Sequence, residues 1–221
     1  MNEDKPILAI ETSESLCNAA LYFSDRKYFV SCIKLKHSHS EKLFEIIEFL
    51  FGTTGIIPQQ ISSVAVSGGP GSFTGLRIGM SAAKGIASGA GVPLVVVPTF
   101  EAMAYQLSFQ LMNGSVFIIS NKVNKDEVYY AKFQIKSNNY IFVDDLTILA
   151  NEEFVKKAEG VKVFGNSGIL PSEENSLFCS PSAEFVAKWA LNFGAGNLSY
   201  NYDYIEPIYI KNFLIKKRFK K

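Results

Sequence analysis

The apolar pattern of this chain sets out one order of elements twice, and few folds accommodate that order. Residues 7–10 read as a short strand, and residues 16–23 and 28–35 as two more, joined by polar turns. Ser38 and Glu41 have the spacing of a capping box, so a helix starts there. Its apolar face is Leu43, Ile46, Ile47 and Leu50, and Gly52 ends it. Residues 61–66 follow as a buried strand, 73–88 as a helix and 94–97 as a Val-rich strand. The second half runs through strands at 116–120, 127–136 and 140–149, a helix at 152–159, a strand at 161–164 and a helix at 182–193. A helix over 99–112 joins the halves. A meander followed by βαβ crossovers makes a mixed sheet with helices on its faces. Two such units predict an α/β chain of two related lobes with a cleft between them. The expected division is residues 1–98 for the first lobe and 99–221 for a smaller second lobe ending in a basic tail. At 221 residues and 48% hydrophobic content, the chain can bury a core in both.

The segment Ser67-Gly-Gly-Pro-Gly-Ser-Phe-Thr-Gly-Leu-Arg-Ile-Gly79 links a strand to a helix. It is not a phosphate loop, because the chain has no Gly-Lys pair. Gly69, Gly71 and Gly75 are spaced one residue too long for the dinucleotide fingerprint, and no acid lies between Ser67 and Glu101. Ser72 can cap the next helix, whose free N–H groups attract anions. Gly69, Gly71, Ser72, Thr74 and Arg77 are therefore candidate nucleotide or anion contacts; the alternative is a structural corner. The helix itself is rich in Gly and Ala, and each interior glycine costs about 1 kcal/mol relative to alanine. Close backbone approach offsets that, either inside the domain or against another subunit. Met80, an adaptable side chain, favours a partner surface.

Glu11, at the end of the first strand, could hold a metal ion or a phosphate-bound water; a loop acid or cap is the other reading. The matching place in the second lobe is Asn121, so a facing carboxylate pair of the kind that holds a magnesium nucleotide is incomplete. His37 and His39, the only histidines, cannot share a helix face, and no metal site is expected. Three scattered cysteines and no Cys-x-x-Cys suit a reducing compartment, and the acidic start does not resemble a signal peptide. No apolar run approaches a membrane span, so a cytoplasmic protein is expected. The last eleven residues carry six of the 22 basic groups and no acid, leaving 16 basic against 21 acidic groups elsewhere. Such a tail is either a solvated end or a phosphate-contacting arm.

The stretches ILAIETSESLCNAALYF, SGGPGSFTGLRIGMSAAKGIA and LVVVPTFEAMA closely resemble the bacterial TsaB (YeaZ) family, and EVYYAKF and EPIYIKN are similar to two further family segments. The resemblance covers most of the chain and is strongest over residues 7–104. It implies two RNase H-like lobes of the actin/Hsp70-like (ASKHA) fold. It also implies a part in forming threonylcarbamoyladenosine beside the anticodon of tRNAs, as non-catalytic partner of the TsaD transferase. A TsaE-like ATPase would complete the complex, and tRNA would be met through it. The helices on either side of the glycine segment would form the TsaD contact. Leu43, Ile47, Gly75, Gly79, Met80, Ala83 and Lys84 are the interface residues this implies. TsaD-like proteins carry two helical histidines for a metal; the matching pair here is His37 and Glu41, so one ligand is absent. The family often has Asp where this chain has Glu11, and Asp-Ala-Arg near Asn121-Lys122-Val123-Asn124. ATP or ADP at the TsaD interface, and a homodimer when TsaD is absent, are further expectations. The competing reading is an ATP-dependent phosphotransferase or ATPase of the same superfamily.

Overall fold

The structure, a computed structural model, describes residues 5–34, 39–170 and 178–210. The helix start expected at Ser38, His37 and the basic tail lie outside the described residues. Two mixed sheets form as the element order requires. The first is ordered β3-β2-β1-β4-β5, from β1 (Ile7–Glu11), β2 (Leu16–Ser24), β3 (Lys27–Lys34), β4 (Ser63–Gly69) and β5 (Leu94–Pro98). Strand β1 pairs antiparallel with β2, Ile7 opposite Tyr22, and parallel with β4, Ile10 opposite Val66. The second sheet is ordered β8-β7-β6-β9, from β6 (Val116–Lys122), β7 (Glu127–Lys136), β8 (Asn139–Ala150) and β9 (Lys162–Asn166). Here β6 takes the place of β1, antiparallel to β7 and parallel to β9. The two lobes of the ASKHA-like fold are thus present.

Alternation along β1 divides the first lobe's core. Leu8 and Ile10 face helices α1 (His39–Thr54) and α2 (Phe73–Ala90), with Leu43, Ile46, Ile47, Leu50, Met80 and Ala83 in the same cluster. Ile7 and Ala9 face the other way, onto α5 (Ala183–Phe193). That contact is built from alanines, Ala9, Ala20 and Ala65 against Ala183, Ala187 and Ala190, which lets α5 lie close to the sheet. Both faces of β1 are therefore buried, and each fully buried aliphatic side chain stabilises the fold by about 1.5–3 kcal/mol.

Helix α3 (Thr99–Ser108) lies between the lobes. Its Phe100, Met103, Ala104 and Leu107 pack on the second sheet, while Ala102 packs on the first. The far face of the second sheet is covered by α4 (Asn151–Ala158) through Phe154 and Ala158. Residue 98 ends β5, so a division at 98/99 separates the sheets. The chain after residue 182 does not stay with the second sheet. Helix α5 covers the first, Ser199 bridges to Leu94, and the Ile208 amide donates to the Gly68 carbonyl at 2.7 Å.

Candidate functional site

The glycine segment is held from inside the chain. Strand β4 runs on through Gly68 and Gly69, both buried, so the corner begins later than the apolar pattern predicts. Gly69 has φ +117°, a conformation few side chains adopt, and its amide donates to Thr99 Oγ1 at 3.0 Å. Ser72 caps α2 as expected, accepting from the Gly75 amide at 3.3 Å, and its own amide donates to the Ser13 carbonyl at 2.6 Å. The polar turn after β1 occupies the room that the glycines leave. A Cβ on Gly71 would lie 2.5 Å from Ser13 O, one on Gly75 2.0 Å from Thr12 O, and one on Gly79 2.3 Å from Thr12 Oγ1. Thr12 Oγ1 in turn donates to the Gly75 carbonyl at 2.8 Å. Gly75 and Gly79 of α2 therefore serve close packing within the chain. At Gly69 and Gly71 protein backbone takes the place a Cβ would fill, and the Ser72 amide is already bonded to Ser13. Thr74 and Arg77 stand exposed at the start of α2.

Behind this corner lies a buried polar junction. Glu11 is fully buried; Oε1 accepts from the Ser13 amide at 2.5 Å and Oε2 accepts from the Ser67 hydroxyl. Burial pushes its carboxyl up to about 7, against the two serines' hydrogen bonds, which favour the charged form. Glu14, partly buried, is also pushed up to about 7 by desolvation, and Glu11 adds to the rise. Asn166 Nδ2 donates to Glu14 Oε2 at 3.1 Å, a bond between the lobes. Asn121 is fully buried on β6, and its Oδ1 accepts from the Asn166 amide at 2.9 Å. Its Nδ2, Ser13 Oγ and Ser120 Oγ have no partner among the described residues. Glu11 thus meets serines and amides, and among the described residues no ion pair forms with it. No group of three metal-ligating side chains occurs among the described residues.

The partner-contact residues require a correction. Leu43, Ile47, Gly75, Gly79, Met80 and Ala83 are all buried in the chain's own core, and only Lys84 reaches the surface. The expected contact residues form the inward stripe of each helix, because a stripe that packs on its own sheet has the same period as one that packs on a partner. The outer side carries other residues. Phe44 and Phe49 on α1 are 54% and 62% exposed, and Phe73 at the start of α2 is 39% exposed. Phe44, Phe73, Ile78 and Ala82 line a groove of about 570 Å³ between the helices, with Thr74, Arg77 and Ser81 at its edge. The Arg77 guanidinium lies 3.9 Å from the centre of the Phe73 ring, and its Nε donates to the Tyr209 hydroxyl at 3.3 Å. Phe44, Phe49, Phe73 and Ile78 escaped the sequence reading. Their signal is bulk out of phase with the buried stripe: Phe44 follows Leu43, and Phe49 precedes Leu50.

Comparison with known proteins adds a family. The family model described as "TsaD: tRNA N6-adenosine threonylcarbamoyltransferase" matches residues 33–180, about two thirds of the chain. The Escherichia coli K12 "tRNA threonylcarbamoyladenosine biosynthesis protein TsaB" is 26% identical over 93% of this chain and 94% of its own. The Haemophilus influenzae protein of the same description is 29% identical, over 57% of this chain and 52% of its own length, so that match spans about half of the relative. Among solved structures, YeaZ from Pseudomonas aeruginosa superposes with a TM-score of 0.75 at 18% identity, over 93% of this chain and 99% of that one. A second Pseudomonas aeruginosa structure, described as similar to peptidase YEAZ, gives a TM-score of 0.77 at 20% identity, over 94% and 100%. These likenesses concern the fold.

Proposed function

The chain belongs to the TsaB (YeaZ) family covered by the TsaD family model, and we propose that it works as the non-catalytic partner of a TsaD-type transferase. On this reading the complex adds the threonylcarbamoyl group to the adenosine next to the anticodon of tRNAs. The observation that carries the reading is the groove between α1 and α2, where Phe44 and Phe73 stand exposed beside Ile78 and Ala82. Exposed large apolar groups gathered in one place mark a protein contact. The polar junction supports the absence of chemistry in this chain. Glu11 is closed in by its own turn, and the corresponding position on β6 is the neutral Asn121.

The partner's helices would fill the groove, with Phe44 and Phe73 as anchors. A TsaE-like ATPase completes the complex, and a second copy of this chain takes the groove when the transferase is absent. A nucleotide bound between the subunits would meet this chain at the exposed Thr74 and Arg77. Among the described residues no helix is long and apolar enough to cross a membrane. The test is titration of the transferase with the double variant Phe44→Glu, Phe73→Glu. Central aromatic anchors carry about 2 kcal/mol or more each, so affinity should fall at least about thirtyfold. The variant should unfold at the wild-type temperature, because neither ring belongs to the core. Unchanged affinity in a folded variant would move the contact elsewhere.

A further inference from the structure

The ends of α3 and α5 and the start of β8 bring a row of aromatic rings together on the α5 side of the first sheet, away from α1 and α2. Between ring centres, Tyr105 lies 5.3 Å from Phe109 and 5.2 Å from Phe193. Phe193 lies 6.2 Å from Tyr140, and Tyr140 lies 6.3 Å from Phe142. The row thus crosses from the first lobe to the second. Tyr105 and Tyr140 are partly buried and root it in the core. Phe109 is 53% exposed, Phe193 and Phe142 are 38% exposed each, and Leu191 on α5 is exposed as well.

Charge is missing from this surface. Residues 102–121 and 189–202, which contain both helix ends, hold no Asp, Glu, Lys, Arg or His, in a chain that is 19% charged. Glu101 and Lys188 touch the row, and both are paired within the chain. The Tyr140 hydroxyl donates to Glu101 at 2.7 Å. Lys188, 5.3 Å from the centre of the Phe109 ring, pairs with Glu184 at 2.8 Å and Asp25 at 3.1 Å. A nucleic acid or a strongly charged protein would find no counter-charge here. A neutral aromatic surface would fit, because two such rows meet edge to face without like-charge repulsion. The chain itself supplies that surface, and a twofold contact uses one patch twice.

We propose that the row is a homodimer contact, through which a second copy of this chain binds while the groove between α1 and α2 stays open. Phe109, Phe142, Leu191 and Phe193 form its apolar centre, at on the order of 80 Å² each. Gln110 and Asn192, exposed and uncharged, begin the polar rim. Roughly 300 Å² of centre leaves about 500 Å² for the rim in a contact of standard size, about 800 Å² per partner. The contact is separate from the groove, so a second copy and the transferase are held at once, in a two-plus-two assembly. Only that last step rests on the reading above.

The experiment is sedimentation velocity of the full chain carrying Phe44→Glu and Phe73→Glu, which closes the groove to a second copy. This groove variant should still sediment as a dimer. Adding Phe109→Glu and Phe142→Glu puts four like charges across the twofold axis. The dissociation constant of the dimer should rise at least about a hundredfold. Hydrogen exchange of the groove variant at low and high concentration reads the same contact with the row intact. Amides of residues 105–112 and 189–198 should gain protection as concentration rises. A groove variant that is monomeric at every concentration overturns the proposal, and so does protection that does not change there. An unaltered dimer in the folded fourfold variant also overturns it. So does a one-plus-one complex of wild type with the transferase. Loss of the transferase on Phe109→Glu, Phe142→Glu with the groove intact overturns it too, by giving the row to the transferase. A groove variant that dimerises and still binds the transferase normally leaves the row standing and overturns the partner reading alone.

Discussion

Glu11 is the residue whose chemistry separates a partner from an enzyme. Its carboxyl is held near pH 7 by burial, against an ordinary value of 4.5. The sign of the consequence follows directly. Between pH 4.5 and about 7 the folded chain holds a proton that the unfolded chain has released, so stability falls as pH rises through that window. The slope is about 1.4 kcal/mol per pH unit at most for one such group. Melting temperatures of the wild type should therefore decline from pH 5 towards 8. Glu11→Gln keeps a neutral group of the same shape beside Ser13 and Ser67, and should flatten much of that decline. Parallel curves for the two proteins would mean that Glu11 is ionised in the fold and has an ion or ligand beside it.

Helix α2 shows what an element can conceal. Its start, its Ser72 cap and its wealth of small residues were legible, because capping and composition are local. The purpose of the small residues was not legible. Gly75 and Gly79 face the turn at Thr12, more than sixty residues away in sequence, and no local rule announces that neighbour. The same holds for α1, where the apolar stripe was found but its packing partner could only come from the assembled sheet. A matched set of substitutions tests the account. Gly75→Ala and Gly79→Ala put a methyl within 2.0 and 2.3 Å of Thr12 atoms and should destabilise by more than about 2 kcal/mol, or prevent folding. Gly85→Ala, on the outer side with nothing within 4 Å, should stabilise by about 0.5–1 kcal/mol. Urea denaturation decides it; similar effects at all three positions would contradict the packing described.

At the scale of the molecule, the doubled β-β-β-α-β-α order was enough to foresee two mixed sheets, because periodicity and the crossover rule leave few arrangements. The return of α5 to the first sheet was beyond that reach: the alanine face of α5 suits either sheet, and the choice is made by Ala9, Ala20 and Ala65. The buried junction was partly legible, through Glu11 and the neutral Asn121; Glu14 and its bond to Asn166 were not, since they meet across the cleft. What the assembled chain presents outward is an aromatic groove between α1 and α2, with Arg77 at its edge. The central claim is that the chain acts through this groove and performs no chemistry at Glu11. The direct measurement is mass spectrometry of tRNA nucleosides from cells depleted of the protein and complemented with wild type, Glu11→Gln, or Phe44→Glu with Phe73→Glu. Threonylcarbamoyladenosine should disappear on depletion, return with wild type and Glu11→Gln, and stay absent with the groove variant. Restoration by the groove variant, or failure of a folded Glu11→Gln, would contradict the account.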